Sequence, residues 1–182
     1  MKILLGVTGS ISAYKAADLA NNLTKRGHEV EVILTDGGSR FITALTLQTL
    51  TKNRVYQDAF CEDDPKSVMH IDLAQKSDLI LIAPASANII GKIASGIADD
   101  LLSATVMAAA GRTPVHIAPA MNTFMYENPI VQDNIARLQS LGYHFIEPKE
   151  DHLACGDTGK GALADLDVII ETIEIAGGTA GL

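Results

Sequence analysis

The chain has 182 residues, 47% of them hydrophobic and only 4% aromatic, with no Trp. That length suits one domain with an aliphatic core, and that apolar share excludes a disordered chain. The formal net charge is -8, and no Lys/Arg run of the kind that tracks a phosphate backbone is present, so nucleic acid is not an expected partner.

Residues 2–7 are too short for the apolar core of a signal peptide and run straight into a glycine turn, so they read as a first strand. Further buried parallel strands are predicted at 29–35, 78–83 and 114–118, each short, aliphatic or β-branched, and closed by a turn residue. A weaker fifth lies around 143–146. Between them, Ala16, Leu19, Ala20 and Leu23 recur at three- and four-residue spacing in a helix that Gly27 stops. Helices are also expected at 86–97, at 101–110 with Asp99 and Asp100 as candidate caps, at 130–141 before Gly142, and at 166–176. Alternating strands and helices mean a single-domain α/β fold, a doubly wound parallel sheet of Rossmann or flavodoxin-like three-layer type. No repeat or linker divides it. The expected domain covers 1–176, and 177–182 read as a frayed tail.

No apolar stretch is long enough to cross a bilayer, and the most apolar, 79–83, is only strand-sized. The expectation is a cytoplasmic protein without a membrane partner. Cys61 and Cys155 form no CxxC or metal pattern and should stay reduced.

In doubly wound sheets ligands bind at the carboxyl ends of the strands. That rule selects residues 8–12, 35–41, 84–88 and 119–122, all rich in small or polar side chains. The first glycine turn, Gly6-Val7-Thr8-Gly9-Ser10-Ile11-Ser12, suits a phosphate through its helix-start N–H groups and the Ser10 and Ser12 hydroxyls, or is a plain tight turn. It is neither the GxGxxG of dinucleotide sites nor a P-loop. Asp36 stands where an NAD site carries its acidic ribose ligand, but without that glycine pattern. Ser86 caps a helix, or with Asn88 binds a polar heterocycle. Asn122 offers both donor and acceptor for a carboxylate or amide. His70 is a structural histidine or a general acid/base. The glycine-dense run Ala154-Cys155-Gly156-Asp157-Thr158-Gly159-Lys160-Gly161 reads as a surface loop, or as one closing over a ligand with a thiol proton donor tuned by Lys160.

Taken in order from about Lys2 to Ile173, these motifs resemble the flavin-containing cysteine decarboxylases. The resemblance rests on Gly9-Ser10-Ile11, on His70 before Ile71-Asp72-Leu73, on Pro84-Ala85-Ser86-Ala87-Asn88, on Gly96-Ile97-Ala98-Asp99-Asp100-Leu101-Leu102, on Pro119-Ala120-Met121-Asn122 with Met125, and on Ala154-Cys155-Gly156-Asp157. It implies FMN bound between subunits of a homo-oligomer, a trimer or a dodecamer built from trimers. Gly9, Ser10, Ile11, Thr35, Phe41, Ser86, Ala87, Asn88, Ile89 and Ala120 would lie along the flavin. Asn122, Met125, His152, Ala154 and Leu163 would contact a small phosphorylated thiol substrate of coenzyme A biosynthesis. His152 and Leu163 stand where relatives often carry Arg and Met.

The implied reaction oxidises the substrate thiol to a thioaldehyde at the expense of flavin, loses CO₂ to give an enethiol, and reduces that product with the returned electrons and a proton on carbon. His70 would serve the oxidative half, Asn122 the substrate carboxylate, and Cys155 the final protonation. No metal is implied. The cysteine loop favours the full decarboxylase over the related peptidyl-cysteine decarboxylases, which stop at the enethiol, and over non-catalytic FMN-binding regulators. Because no ligase segment follows, the resemblance implies decarboxylation alone, with a separate cysteine ligase as pathway partner.

Overall fold

The computed structural model describes residues 1–58, 68–152 and 158–179. In chain order the elements are β1 (Lys2–Val7), α1 (Lys15–Lys25), β2 (Glu29–Leu34), α2 (Asp36–Ser39), α3 (Ala44–Thr51), β3 (Val55–Tyr56), α4 (Met69–Lys76), β4 (Leu79–Ala85), α5 (Ala87–Ser95), α6 (Leu101–Ala109), β5 (Val115–Pro119), α7 (Thr123–Tyr126), α8 (Pro129–Ser140), β6 (His144–Phe145), β7 (Lys149–His152), β8 (Thr158–Ala162) and α9 (Leu166–Thr179). A 3-10 turn over Ile11–Tyr14 leads into α1.

Six strands form one sheet in the order β3-β2-β1-β4-β5-β6, every pair parallel. This is the doubly wound α/β fold expected from the sequence, and its strand order is that of the Rossmann type. All seven residues of β4 are buried, as a central strand covered on both faces requires. One face packs Leu5, Val7, Leu81 and Ala118 beneath Leu19 and Leu23 of α1 and Ile169 and Ile173 of α9. The other packs Leu4, Ile80, Ile82 and Ile117 beneath Leu73 of α4, Leu102 and Val106 of α6, and Leu138 of α8.

Local chemistry sets the helix ends. Arg26 closes α1, and Gly27 follows at φ +85. The helix expected to reach residue 97 stops at Ser95, because Gly96 turns left-handed at φ +69. Of the two candidate caps for α6, Asp100 does the capping: its carboxylate accepts from the Ser103 N–H at 2.8 Å, and the Asp100 N–H donates to Ser103 Oγ. The last helix runs to Thr179, three residues beyond its expected end.

Outside the parallel sheet, β7 and β8 form an antiparallel hairpin. The sequence did not suggest it, because neither strand alternates apolar and polar residues.

Candidate active site

β1 and β4 are neighbours whose connections leave toward opposite edges of the sheet, and this is the switch point where an open α/β sheet splits into a crevice. Thr8, just past β1, ties the two strand ends together. Its hydroxyl donates to the Pro84 carbonyl at 2.7 Å and accepts from the Ser86 N–H at 2.9 Å, and the side chain is buried. The Ala83-Pro84 peptide is cis. Ser86 then caps α5, its Oγ accepting from the Ile89 N–H.

Gly9 faces Gly37 across the crevice floor. A Cβ on Gly9 would sit 3.1 Å from the Gly37 Cα, so the pair admits a close approach that side chains would fill. Thr35 supports the second wall by donating to the Val7 carbonyl and accepting from the Gly38 N–H, each at 3.1 Å.

Two adjoining cavities open along this crevice. One, of about 520 Å³, is lined by Gly9, Ser10, Ile11, Ser86, Ala87, Ala120, Asn122 and Met125, together with Tyr14, Lys15 and Asp151. The other, of about 500 Å³, is lined by Thr8, Gly9, Thr35, Asp36, Gly37, Ser86, Ala87, Asn88, Ile89, Lys92, Asp100 and Met125. Gly9, Ser86, Ala87 and Met125 are common to both. Such sizes suit a small ligand.

Every residue expected along the flavin lines one of the two, except Phe41. Phe41 is 48% exposed in the turn after α2 and reaches neither cavity. Asn122 and Met125 line the first cavity. The Asn122 Oδ1 accepts from the Phe124 N–H at 2.8 Å, which caps α7 and fixes the side chain at the wall.

Leu163 does not join them: it is 1% exposed within the core under α9, because the chain turns inward after β8. His70 lies half-buried in the first turn of α4, which packs on α6, and lines neither cavity. Cys155 and Ala154 lie outside the described residues, as does the side chain of His152.

The structure adds site residues that the sequence reading did not assign. Lys15 stands in the first turn of α1, where a cation opposes the helix dipole, and that misplacement was the available signal. Lys92 bridges Asp99 at 2.6 Å and Asp100 at 2.8 Å. Its hydrogen bonds to Asp100 and then to Asp99 raise the lysine pKa. Burial opposes ionisation of Asp100, but hydrogen bonds from Lys92 and the Ser103 N–H hold its carboxyl below the usual range. The loop before α6 is thereby fastened to α5 at the cavity wall.

The hairpin borders the larger cavity through Asp151, Gly161 and Ala162. Its β8 strand lies directly on the loop that carries Asn122. The Met121 N–H donates to the Gly161 carbonyl at 2.9 Å. Gly161 has φ +153, and a Cβ there would collide with the Met121 carbonyl oxygen.

The cleft suits FMN on its own chemistry. It offers the hydroxyls of Ser10, Thr35 and Ser86, the amide of Asn88, and the apolar walls Ala87, Ile89 and Ala120. Among the described residues no group of three or more His, Cys, Asp or Glu is placed to hold a metal ion, and no helix is long and apolar enough to cross a membrane.

A family profile described as Flavoprotein matches residues 1–176. The chain belongs to the flavoprotein family. It is 55% identical over 173 residues to a probable phosphopantothenoylcysteine decarboxylase of Streptococcus mutans, covering 95% of this chain and 97% of that protein. It is 49% identical over 172 residues to the coenzyme A biosynthesis bifunctional protein CoaBC of Bacillus subtilis, covering 94% of this chain and 42% of the bifunctional protein. This flavoprotein therefore spans less than half the length of that relative. Among solved structures it superposes on a cysteine-to-serine mutant of PPC decarboxylase complexed with pantothenoylaminoethenethiol, with a TM-score of 0.86, 33% identity and 96% of each chain covered. It also matches the FMN binding protein AtHal3, with a TM-score of 0.83, 33% identity, 96% of this chain and 95% of that one. These relatives agree with the resemblance carried by the sequence motifs.

Proposed function

We propose that this flavoprotein is an FMN-dependent decarboxylase that converts 4'-phosphopantothenoylcysteine to 4'-phosphopantetheine in coenzyme A biosynthesis. The observation that carries the reading is the cleft at the β1/β4 switch point: the positions expected along FMN, Phe41 apart, converge there beside Asn122 and Met125. The near-full-length likeness to a probable phosphopantothenoylcysteine decarboxylase supports the same substrate.

Gly9, Ser10, Thr35 and the Ser86 end of α5 would hold FMN, with Ala87, Ile89 and Ala120 against it. Bound FMN supplies the two-electron oxidation and re-reduction of the substrate's sulfur-bearing carbon. Asn122, fixed by its bond to the Phe124 N–H, orients the substrate carboxylate through its amide N–H groups. Lys15 supplies a cation within the substrate cavity. Loss of CO₂ is aided by the oxidised thiol carbon, which accepts the electron pair of the breaking bond. Cys155 then delivers a proton to carbon, and His70 takes up a proton in the oxidative half.

Because His70 lines neither cavity of its own chain, the reading includes a homo-oligomer in which another copy brings His70 to the cleft. Ile11, Tyr14 and Phe41, all about half exposed around the crevice, are apolar surface that such a contact would cover. A trimer, or a dodecamer of trimers, in the cytoplasm completes the reading, with a separate phosphopantothenate-cysteine ligase supplying the substrate.

The test is direct. Purified protein is expected to be yellow, to release FMN on denaturation and to liberate CO₂ from phosphopantothenoylcysteine. A colourless protein that cannot be loaded with flavin overturns the proposal.

A further inference from the structure

A histidine interrupts the buried run Val115-His116-Ile117-Ala118 of β5, where packing alone would call for an apolar residue. Side chains alternate along a strand, so His116 shares the face of Ala118, which packs under α9. The register of β5 and β6 sets His116 directly opposite His144, and the two imidazoles stack with centroids 4.7 Å apart at 22°. A cavity of about 670 Å³ opens at this pair, between the strands and α9. It shares no lining residue with the two cavities of the crevice. From His116 here to Ala120 in the crevice the strand runs four residues, about 13 Å.

The lining restricts what fits. His116 is its one buried member and forms its base. The ring's Nδ1 is buried and has no hydrogen-bond partner among the described residues. Such an atom carries a desolvation cost that a bonded ligand would offset. Burial, and then the neighbouring His144, lower the His116 pKa to about 4, so at pH 7 the ring is neutral, with one donor and one acceptor nitrogen. No Asp, Glu, Lys or Arg lines the cavity, whereas both crevice cavities hold such residues. An ionic ligand would enter without a counter-charge. Gln139, at the end of α8, adds an amide that can donate and accept. Ile175 of α9 contributes an apolar wall, and the exposed His144 ring a flat one.

We infer that this cavity is a second ligand site, distinct from the crevice, which takes a small, flat, uncharged nitrogen heterocycle hydrogen-bonded to His116 and resting against His144. The volume is in the range of small-molecule sites. The two sites divide ligands by charge: the crevice offers ionic groups, and the His116 cavity offers only neutral donors, acceptors and apolar walls.

The experiment uses the purified full chain, saturated with FMN so that the crevice is filled. It is titrated with adenine, with uracil, and with toluene as a ring that offers no hydrogen bond, while NMR follows the ring signals of His116 and His144. Adenine or uracil should shift both histidines saturably and leave the flavin absorbance unchanged, and toluene should bind at least about tenfold more weakly. His116→Phe keeps a flat ring without its nitrogens and should weaken the heterocycle by about tenfold, read at His144. Ile175→Trp, at an exposed position, fills the cavity mouth and should abolish the shifts even if His116→Phe does not fold. No saturable shift at His116 with either heterocycle overturns the inference. So do shifts that persist unchanged in Ile175→Trp, shifts confined to crevice residues such as Ser10 and Ala87, or toluene binding as tightly as the heterocycles. Turnover plays no part in this readout, so a failure of the proposed decarboxylation would leave the second site standing.

Discussion

The crevice floor and the hairpin beside it are built in opposite ways. The floor is the buried carboxyl end of a parallel sheet. Thr8 links its two central strands with two hydrogen bonds, and the strands feeding it are covered on both faces. The hairpin is held by Lys149 to Asp151 and Asp165, by Lys160 to Glu147, and by two glycines pressed on a loop. Its charged partners are largely exposed, where ion pairs are weak. A ligand pocket walled by both elements inherits a rigid side and an adjustable one.

Substitution should separate the two walls. The largest expected effect is at Gly161. A side chain there meets both an unfavourable φ of +153 and the Met121 carbonyl oxygen, so β8 must leave the Asn122 loop. Gly161→Val is expected to lower kcat/KM by roughly 10²-fold, because misplacing one wall disrupts positioning. Its FMN content should remain that of the parent, which absorbance of the purified protein checks. A variant that also loses flavin would mean the hairpin supports the floor.

Thr8→Val attacks the rigid side. It leaves the Pro84 carbonyl and the Ser86 N–H without their buried partner, an expected cost of about 2–4 kcal/mol. Denaturant unfolding should show that loss, accompanied by weaker FMN retention. Unchanged stability would mean that water replaces the threonine.

Acid probes the floor from its far edge. His116 on β5 is 3% exposed, stacked on His144 at 4.7 Å between ring centroids. Burial, and then the neighbouring His144, lower its pKa from 6.5 to about 4. The unfolded chain binds the proton more tightly than the folded one. Stability from this group is therefore complete above pH 6.5 and falls as the pH drops toward 4, by roughly 3 kcal/mol in all. His116→Phe should flatten that slope in unfolding experiments between pH 7 and 4. A slope unchanged by the substitution would assign acid sensitivity to other groups.

The same contrast explains what was readable in the sequence. The floor was legible because a buried parallel strand writes itself as a continuous apolar run, as in β4, and because ligand residues follow such strands directly. Ser86, Asn88 and Ala120 were singled out that way, and all three line the cleft. The helix α3 escaped notice because its Thr residues at 46, 49 and 51 obscure a face on which Leu47 is buried. The hairpin was illegible because its sequence has no periodicity and is specified by contacts with a loop distant in the chain. Asp151 was missed with it. Leu163 was misassigned because sequence order alone does not say whether a residue just after a hairpin faces the cavity or the core. Both cysteine and histidine readings depended on motif order, since neither residue carries a local signal of chemistry.

This cleft is expected to carry out a complete decarboxylation. Incubating the purified flavoprotein with phosphopantothenoylcysteine and determining product mass together with CO₂ tests it in one measurement. One CO₂ released per substrate and a saturated phosphopantetheine product are expected. Intact substrate recovered from FMN-loaded protein, or an enethiol as the sole product, would contradict it.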